Sequence, residues 1–188
     1  MKVIGISGSS RKNGNTAIII KTIFEELSKV GIETELIQLA DIDIQPCRAC
    51  FACKGKRNCV FKNDGFNEVF NRMVEADGII LGTPVYSADV SSKMKALLDR
   101  GGVVVATNPG LLKHKVGASV AAVRRAGGMT AVDTMNHFML NKEMIVVGST
   151  YWNMVYGREI GDVLNDEESM ANMHNLGQNI ASLLKRLG

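Results

Sequence analysis

Four cysteines, Cys47, Cys50, Cys53 and Cys59, fall in one short stretch with the spacing C-x2-C-x2-C-x5-C. Thiolates this close together can do three kinds of chemistry. Three can wrap one corner of an iron–sulfur cubane while the fourth closes it. A pair such as Cys47 and Cys50 can work as a redox dithiol. Four can hold zinc, but zinc usually takes two separated C-x2-C knuckles, and this compact run fits that poorly. Pro46 stiffens the approach to Cys47. Arg48, Lys54, Lys56, Arg57 and Lys62 accompany the cysteines, with no acid from 47 to 62. Such cations would offset the charge of four thiolates on a cluster, balance a bound anion or dock an acidic partner. A merely solvated basic loop is the plainer alternative.

A second group of residues could hold a phosphate. Gly5 to Thr16 reads as a strand, then a loop, then a helix start. A helix N-terminus presents unpaired N–H groups and the positive end of its dipole, which suits an anion. Ser7, Ser9 and Thr16 add hydroxyls, Asn13 and Asn15 add amides, and Arg11 adds charge. No G-x-G-x-x-G follows the first strand, and Asn15 stands where a P-loop lysine would be. Dinucleotide binding at this loop and ATP hydrolysis are therefore disfavoured. The loop suits a phosphate monoester that is held and not cleaved.

Two further loops could face a flat ring. Pro84, Val85, Tyr86 and Ser87 combine a rigid turn, an apolar wall, an aromatic and backbone donors. Arg124 to Gly128 carries two glycines that permit close backbone approach, and either arginine could neutralise an anionic ring. Rim packing of Tyr86 and solvated arginines are the alternatives. A ligand that needs one phosphate loop and two ring-facing loops is FMN.

The elements that must position these loops are legible from periodicity. Val3 to Ser7, the alternating Ile32, Thr34 and Leu36, Gly78 to Gly82, Val116 to Val123 and Met144 to Val147 read as five strands. Ile20, Ile23, Phe24 and Leu27 define one face of a first helix, which Asn13 to Thr16 can cap and Gly31 can end. Further helices are expected over about 64–75, 91–99 and 130–140. A closing helix has Met173, Leu176, Ile180, Leu183 and Leu187 on its inner face. Strands alternating with helices imply a doubly wound parallel sheet covered on both faces. Loops 7–16, 83–90 and 124–129 should then share one rim, where such sheets bind ligands. One domain over 1–188 is expected, with a cysteine-rich insert at 46–62.

The chain resembles the flavodoxin-like NAD(P)H-dependent FMN reductases, and within them the iron–sulfur flavoproteins of anaerobic archaea and bacteria. The likeness rests on GSSRKNGNT, CRACFACKGKRNC, GTPVYS, RRAGGM and GSTYWNMVYG in this order. It implies the flavodoxin-like strand order 2-1-3-4-5, and that Ser9, Arg11, Asn13, Asn15 and Thr16 hold the FMN phosphate. It puts Pro84, Val85, Tyr86 and Ser87 near the isoalloxazine, and Arg125, Gly127 and Gly128 on its far side. It implies a [4Fe-4S] cluster on the four cysteines, NAD(P)H as a reductant, and a homodimer or homotetramer. Related reductases that keep such cysteines without a cluster leave a second reading, a cluster-free FMN or quinone reductase. A flavodoxin-type electron carrier is the third.

Together FMN and a cluster would convert between two-electron and one-electron partners, with the flavin tuned by backbone donors from Tyr86, Ser87 and Gly128. The partner is then a redox protein, acidic and ferredoxin-like, or a small acceptor. The cysteine segment follows the second strand while FMN would centre on the first and third, so a neighbouring copy could bring the two cofactors together. Tyr151, Trp152 and Tyr156 could serve that interface, cap the flavin or bury themselves in their own loop. The net charge of +3 over 188 residues is too small to argue for nucleic acid, which is not expected as a partner. With the basic cysteine segment it argues weakly against a flavodoxin-type carrier, since those are strongly acidic. No apolar run is long enough for a membrane span, and the first residues do not read as a secretory signal, so a cytoplasmic protein is expected.

Overall fold

The computed structural model describes residues 1–188. Strand β1 (Lys2–Ser7) runs between β2 (Glu33–Gln38) and β3 (Gly78–Pro84), and β4 (Val116–Val123) lies beyond β3. All these pairings are parallel. Every residue of β4 is buried, as a strand covered on both faces requires. Helices α1 (Asn15–Ser28) and α5 (Glu167–Leu187) supply the core on one face through Ile20, Ile23, Met173 and Leu176. Helices α2 (Phe66–Glu75), α3 (Ser92–Ala106) and α4 (Gly128–Asn141) supply the other through Phe70, Met94 and Met135. The order is 2-1-3-4-5, as expected. No helix is long and apolar enough to cross a membrane.

Four expectations need correction. The last strand is not continuous over Met144 to Val147. Two short pieces, β5 (Ile145–Val146) and β6 (Met154–Tyr156), pair in parallel with opposite ends of β4. Helix α3 continues past Asp99 to Ala106, where Gly101, Val104 and Val105 are buried. The α1 N-cap is Gly14, inside the expected Asn13–Thr16, and it contributes no side-chain bond. Trp152 and Leu187 are more than half exposed, so the long loop does not bury its tryptophan, and the inner face of α5 stops short of Leu187.

The bulge between β5 and β6 is held by side chains of α5, among which Asn172 makes the most bonds. Buried Asn172 accepts from Thr150 Oγ1 at 2.8 Å and from Tyr151 N at 3.0 Å, and donates to the carbonyls of Tyr151 and Trp152 at 3.3 and 3.1 Å. Each buried polar group left without a partner costs about 1–3 kcal/mol. Asn172→Ala should therefore destabilise the fold by about 2–4 kcal/mol in urea unfolding. A loss under about 0.5 kcal/mol would mean that water takes over these bonds.

Helices α1 and α5 are linked through Glu26, which meets Lys29 at 2.6 Å, His174 Nδ1 at 2.8 Å and Gln178 at 3.3 Å. The Lys29 bond, opposed by desolvation and aided by Gln178 and His174, lowers the Glu26 pKa from 4.5 to about 2. A depressed carboxyl pKa stabilises the fold above the unfolded value and loses that contribution as pH falls through the folded one. The melting-temperature gap between wild type and Glu26→Gln should thus shrink between pH 4.5 and about 2. A gap that stays constant over that range would remove Glu26 from the acid sensitivity.

Candidate functional site

At the carboxyl ends of β1, β3 and β4 the loops enclose a cleft of about 360 Å³. That lies within the usual size of small-molecule sites. Ser9, Arg11, Asn15 and Thr16 come from the first loop, Pro84, Val85 and Tyr86 from the second, and Ala122 and Arg124 from β4 and its exit loop. Gly157, Arg158 and Glu159 complete the wall. Three rim loops far apart in sequence thus meet in one place, at the β1/β3 switch point of the sheet.

The first loop is built to receive an anion. Gly8 N donates to Gly82 O at 2.7 Å, and Ser91 Oγ donates to Gly8 O at 2.6 Å, which pins the loop to β3 and to the start of α3. Ser9 Oγ accepts from Arg11 N at 3.0 Å. The N–H groups of Ser9, Ser10, Asn15 and Thr16 have no partner, and the hydroxyls of Ser7 and Thr16 are buried without one. Buried polar atoms are rarely left unpaired. Free N–H groups at a helix start, an orphan hydroxyl and the Arg11 cation are the donor set a phosphate takes.

The structure separates other named residues from this cleft. Asn13 does not line it; its N–H donates to Gln38 Oε1 at 2.7 Å and its backbone is left-handed. Asn15 lines the cleft, but its amide is engaged at both ends, donating to Glu159 O and accepting from Gly161 N, each at 2.8 Å. It therefore braces the 157–161 segment. Ser7 lies beneath the loop. Of the two arginines, Arg124 reaches the cleft wall and Arg125 does not.

Gly127 and Gly128 serve the chain's own packing. A Cβ on Gly127 would lie 2.8 Å from Ala88 Cα, at a φ of +85°, and one on Gly128 would lie 2.2 Å from Met154 Sδ. The Tyr86 N–H, expected to face the ring, donates instead to Asp89 O at 2.9 Å. Ser87 sits in a left-handed turn with Ala88 and keeps a free N–H, and Gly128 N likewise has no partner. Tyr151, Trp152 and Tyr156 line a separate surface recess with Asp166 and Asn172, so they do not cap this cleft.

Sequence reasoning missed the 157–159 wall. Only the charge of Arg158 signals it, while its position depends on contacts across the fold: Gly157 N donates to Val123 O at 2.9 Å, and Arg11 Nη1 to Arg158 O at 3.2 Å.

The four cysteines line a second, mostly apolar pocket with Phe51, Phe61, Arg100, Val103 and Val104. It shares no residue with the first. All four thiols are free. Left-handed backbone at Ala49, Phe51, Gly55 and Arg57 coils the segment tightly. Alternation of this kind turns successive N–H groups to one side, a feature of iron–sulfur and anion sites. Ala49 N donates to Cys47 Sγ at 3.4 Å, Arg100 Nε donates to Cys59 Sγ at 3.2 Å, and Thr107 Oγ1 lies 3.4 Å from Cys53 Sγ. Donor chemistry, shared pocket and sulfur-directed N–H groups fit a cluster. No three metal-binding side chains converge on one point in this arrangement. Arg48, Lys54, Lys56, Arg57 and Lys62 are exposed, and none is paired with an acid, although Arg48 lies 4.5 Å over the Phe61 ring.

Fold and cleft define a flavodoxin-like α/β protein with a rim cleft whose donor set suits a phosphate. The model of the NADPH-dependent FMN reductase family matches residues 1–159, and the chain belongs to that family. It is 40% identical over 192 residues to an iron-sulfur flavoprotein of Methanocaldococcus jannaschii, covering 98% of each chain. Among solved structures it is similar to RosB with bound 8-demethyl-8-formylriboflavin-5'-phosphate, with a TM-score of 0.80 at 17% identity over 100% of this chain and 80% of that one. It is also similar to an archaeal flavodoxin, with a TM-score of 0.64 at 18% identity over 98% and 99%. The protein is an FMN-dependent flavoprotein oxidoreductase of the FMN reductase and iron–sulfur flavoprotein family.

Proposed function

We propose that this oxidoreductase holds FMN in the β1/β3/β4 cleft and a [4Fe-4S] cluster on Cys47, Cys50, Cys53 and Cys59, and so links a two-electron reductant to a one-electron acceptor. The observation that carries this reading is the pairing of a phosphate-ready loop with a separate pocket lined by all four cysteines. FMN exchanges electrons in pairs or singly, and a cluster passes them one at a time.

The chain's residues bind and orient. Ser9, Arg11 and Thr16 hold the phosphate with the free N–H groups of the loop. Pro84, Val85 and Tyr86 wall the ring. Ser87 N–H and Gly128 N–H remain available to its polar edge, and Arg124 offers charge compensation. Asn15 holds the 157–161 segment over the cleft. NAD(P)H is the reductant in this reading, and the unpaired basic cysteine segment suits an acidic, ferredoxin-like redox protein as acceptor. A small-molecule acceptor is the other outcome of a partner test.

Helix α3 measures the gap between the two sites. Ser91, at its start, bonds the phosphate loop, while Arg100 and Val104 meet the cysteines. At 1.5 Å per residue these positions lie roughly 14–20 Å apart along the helix. A homodimer or homotetramer would shorten that path by setting the cysteine segment against a neighbour's cleft. Four free thiols suit a reducing, cytoplasmic setting.

The test follows electron transfer without oxygen. Cys47→Ser should keep NAD(P)H-driven quinone reduction within about twofold and lose at least about tenfold of the rate to a one-electron acceptor. Equal rates to both acceptors would favour the cluster-free NAD(P)H-dependent reductase. The lack of any converging metal-ligand group is the observation that keeps this second reading alive.

A further inference from the structure

Arg100 is the one charged side chain of α3 that is buried, with its side chain 4% exposed. A buried guanidinium is tolerated only when its charge is paired and its N–H groups are satisfied. Nη1 pairs with Asp64, whose side chain is fully buried, and also donates to Gln45 O at 3.3 Å. Nη2 donates to Phe61 O at 2.9 Å, and the group lies 4.4 Å over the Phe66 ring. Asp64 in turn accepts from Gln45 N at 2.8 Å and Phe66 N at 3.3 Å. Residues 45, 61 and 64 flank the cysteines on both sides, so one cation ties the two ends of the segment together.

The remaining donor, Nε–H, reaches Cys59 Sγ at 3.2 Å. No other sulfur of the four has a charged donor. Cys47 takes a backbone N–H, and Cys53 lies beside a threonine hydroxyl. Burial works against the Arg100 charge, but the bonds to Asp64 and Cys59 outweigh it and raise its pKa. A fixed cation on a ligand sulfur stabilises the more negative, reduced state of a cluster more than the oxidised state. Hydrogen bonds to sulfur and local charge are the protein's levers on such potentials.

We propose that Arg100 is a positioning residue for the cluster: clamped by Asp64 and Phe66, it fixes the Cys59 sulfur and holds the cluster's reduction potential up. This rests on the cluster proposed above. Arg100 stands at mid-helix, outside the cysteine segment, and only the fold brings it to Cys59.

The test compares wild type, Arg100→Lys and the double variant Arg100→Gln/Asp64→Asn, all purified without oxygen. The double variant removes the cation without leaving Asp64 buried and unpaired. Iron, sulfide and FMN are assayed, and the cluster's EPR signal is titrated against potential. The expected result is wild-type iron and FMN in the double variant, with the cluster's reduction equilibrium at least about tenfold less favourable, a shift of about 59 mV to lower potential. Arg100→Lys should recover part of that shift, and the FMN midpoint should not move. A full cluster at an unchanged midpoint overturns the proposal. Loss of iron from the double variant at unchanged FMN content also overturns it, leaving Arg100 a clamp only. Wild-type protein without iron would overturn the cluster reading itself.

Discussion

Thr16→Val should weaken FMN binding by roughly tenfold to 150-fold while making the cofactor-free protein more stable. The two effects have opposite signs because the Thr16 hydroxyl is buried with no partner in the cofactor-free chain. Its replacement by a methyl of similar shape removes an unsatisfied group, worth about 1 kcal/mol or more of stability. In the proposed FMN complex the same hydroxyl would donate to a charged phosphate oxygen, a bond worth about 1.5–3 kcal/mol. Its loss converts to that range of affinity. Fluorescence titration of FMN into cofactor-free protein and urea unfolding of the same samples give the two numbers. Unchanged affinity would remove Thr16 from the phosphate site. Changing Asn15 to Ala should also lower affinity, but indirectly: its two bonds to the 157–161 segment would go, and the cleft wall would loosen.

Cys59→Ser should take the iron content from about four per FMN to three or fewer, with FMN retained in full. The substitution exchanges one sulfur for oxygen and changes little else. Asn67 accepts from Cys59 N at 3.1 Å and donates to Cys59 O at 3.0 Å, and neither bond involves the sulfur. A serine hydroxyl can still accept from Arg100. The cysteine pocket and the cleft share no residue, so FMN should not respond. Iron and sulfide analysis with the flavin absorbance decides it. Joint loss of both cofactors would show that the cysteine segment supports the fold of the cleft as well.

Much of this architecture could be read from residue types. Buried parallel strands appear as short apolar runs, so β1, β3 and β4 and the three loops leaving them were legible, and with them Ser9, Arg11, Thr16, Pro84, Val85 and Tyr86. The interrupted last strand was not, because two- and three-residue pieces carry no period. The second half of α3 was hidden by Gly101-Gly102, which reads as a break until Phe70 and Phe138 pack against it. Asn15 looked like a ligand because its amide suits a phosphate, yet the segment it braces is more than 140 residues away. Arg100, Asn172 and Glu26 carried no local signal at all. Each is a polar side chain with partners from other elements (Glu26 pairs with Lys29 locally but with His174 and Gln178 across the fold), and tertiary packing brings those together.

The most direct test of the two-cofactor account is the iron, acid-labile sulfide and FMN content of protein purified without oxygen. The account predicts about four irons and four sulfides for each FMN. FMN without iron or sulfide would contradict it and leave a cluster-free flavin reductase whose cysteines are redox thiols or bystanders.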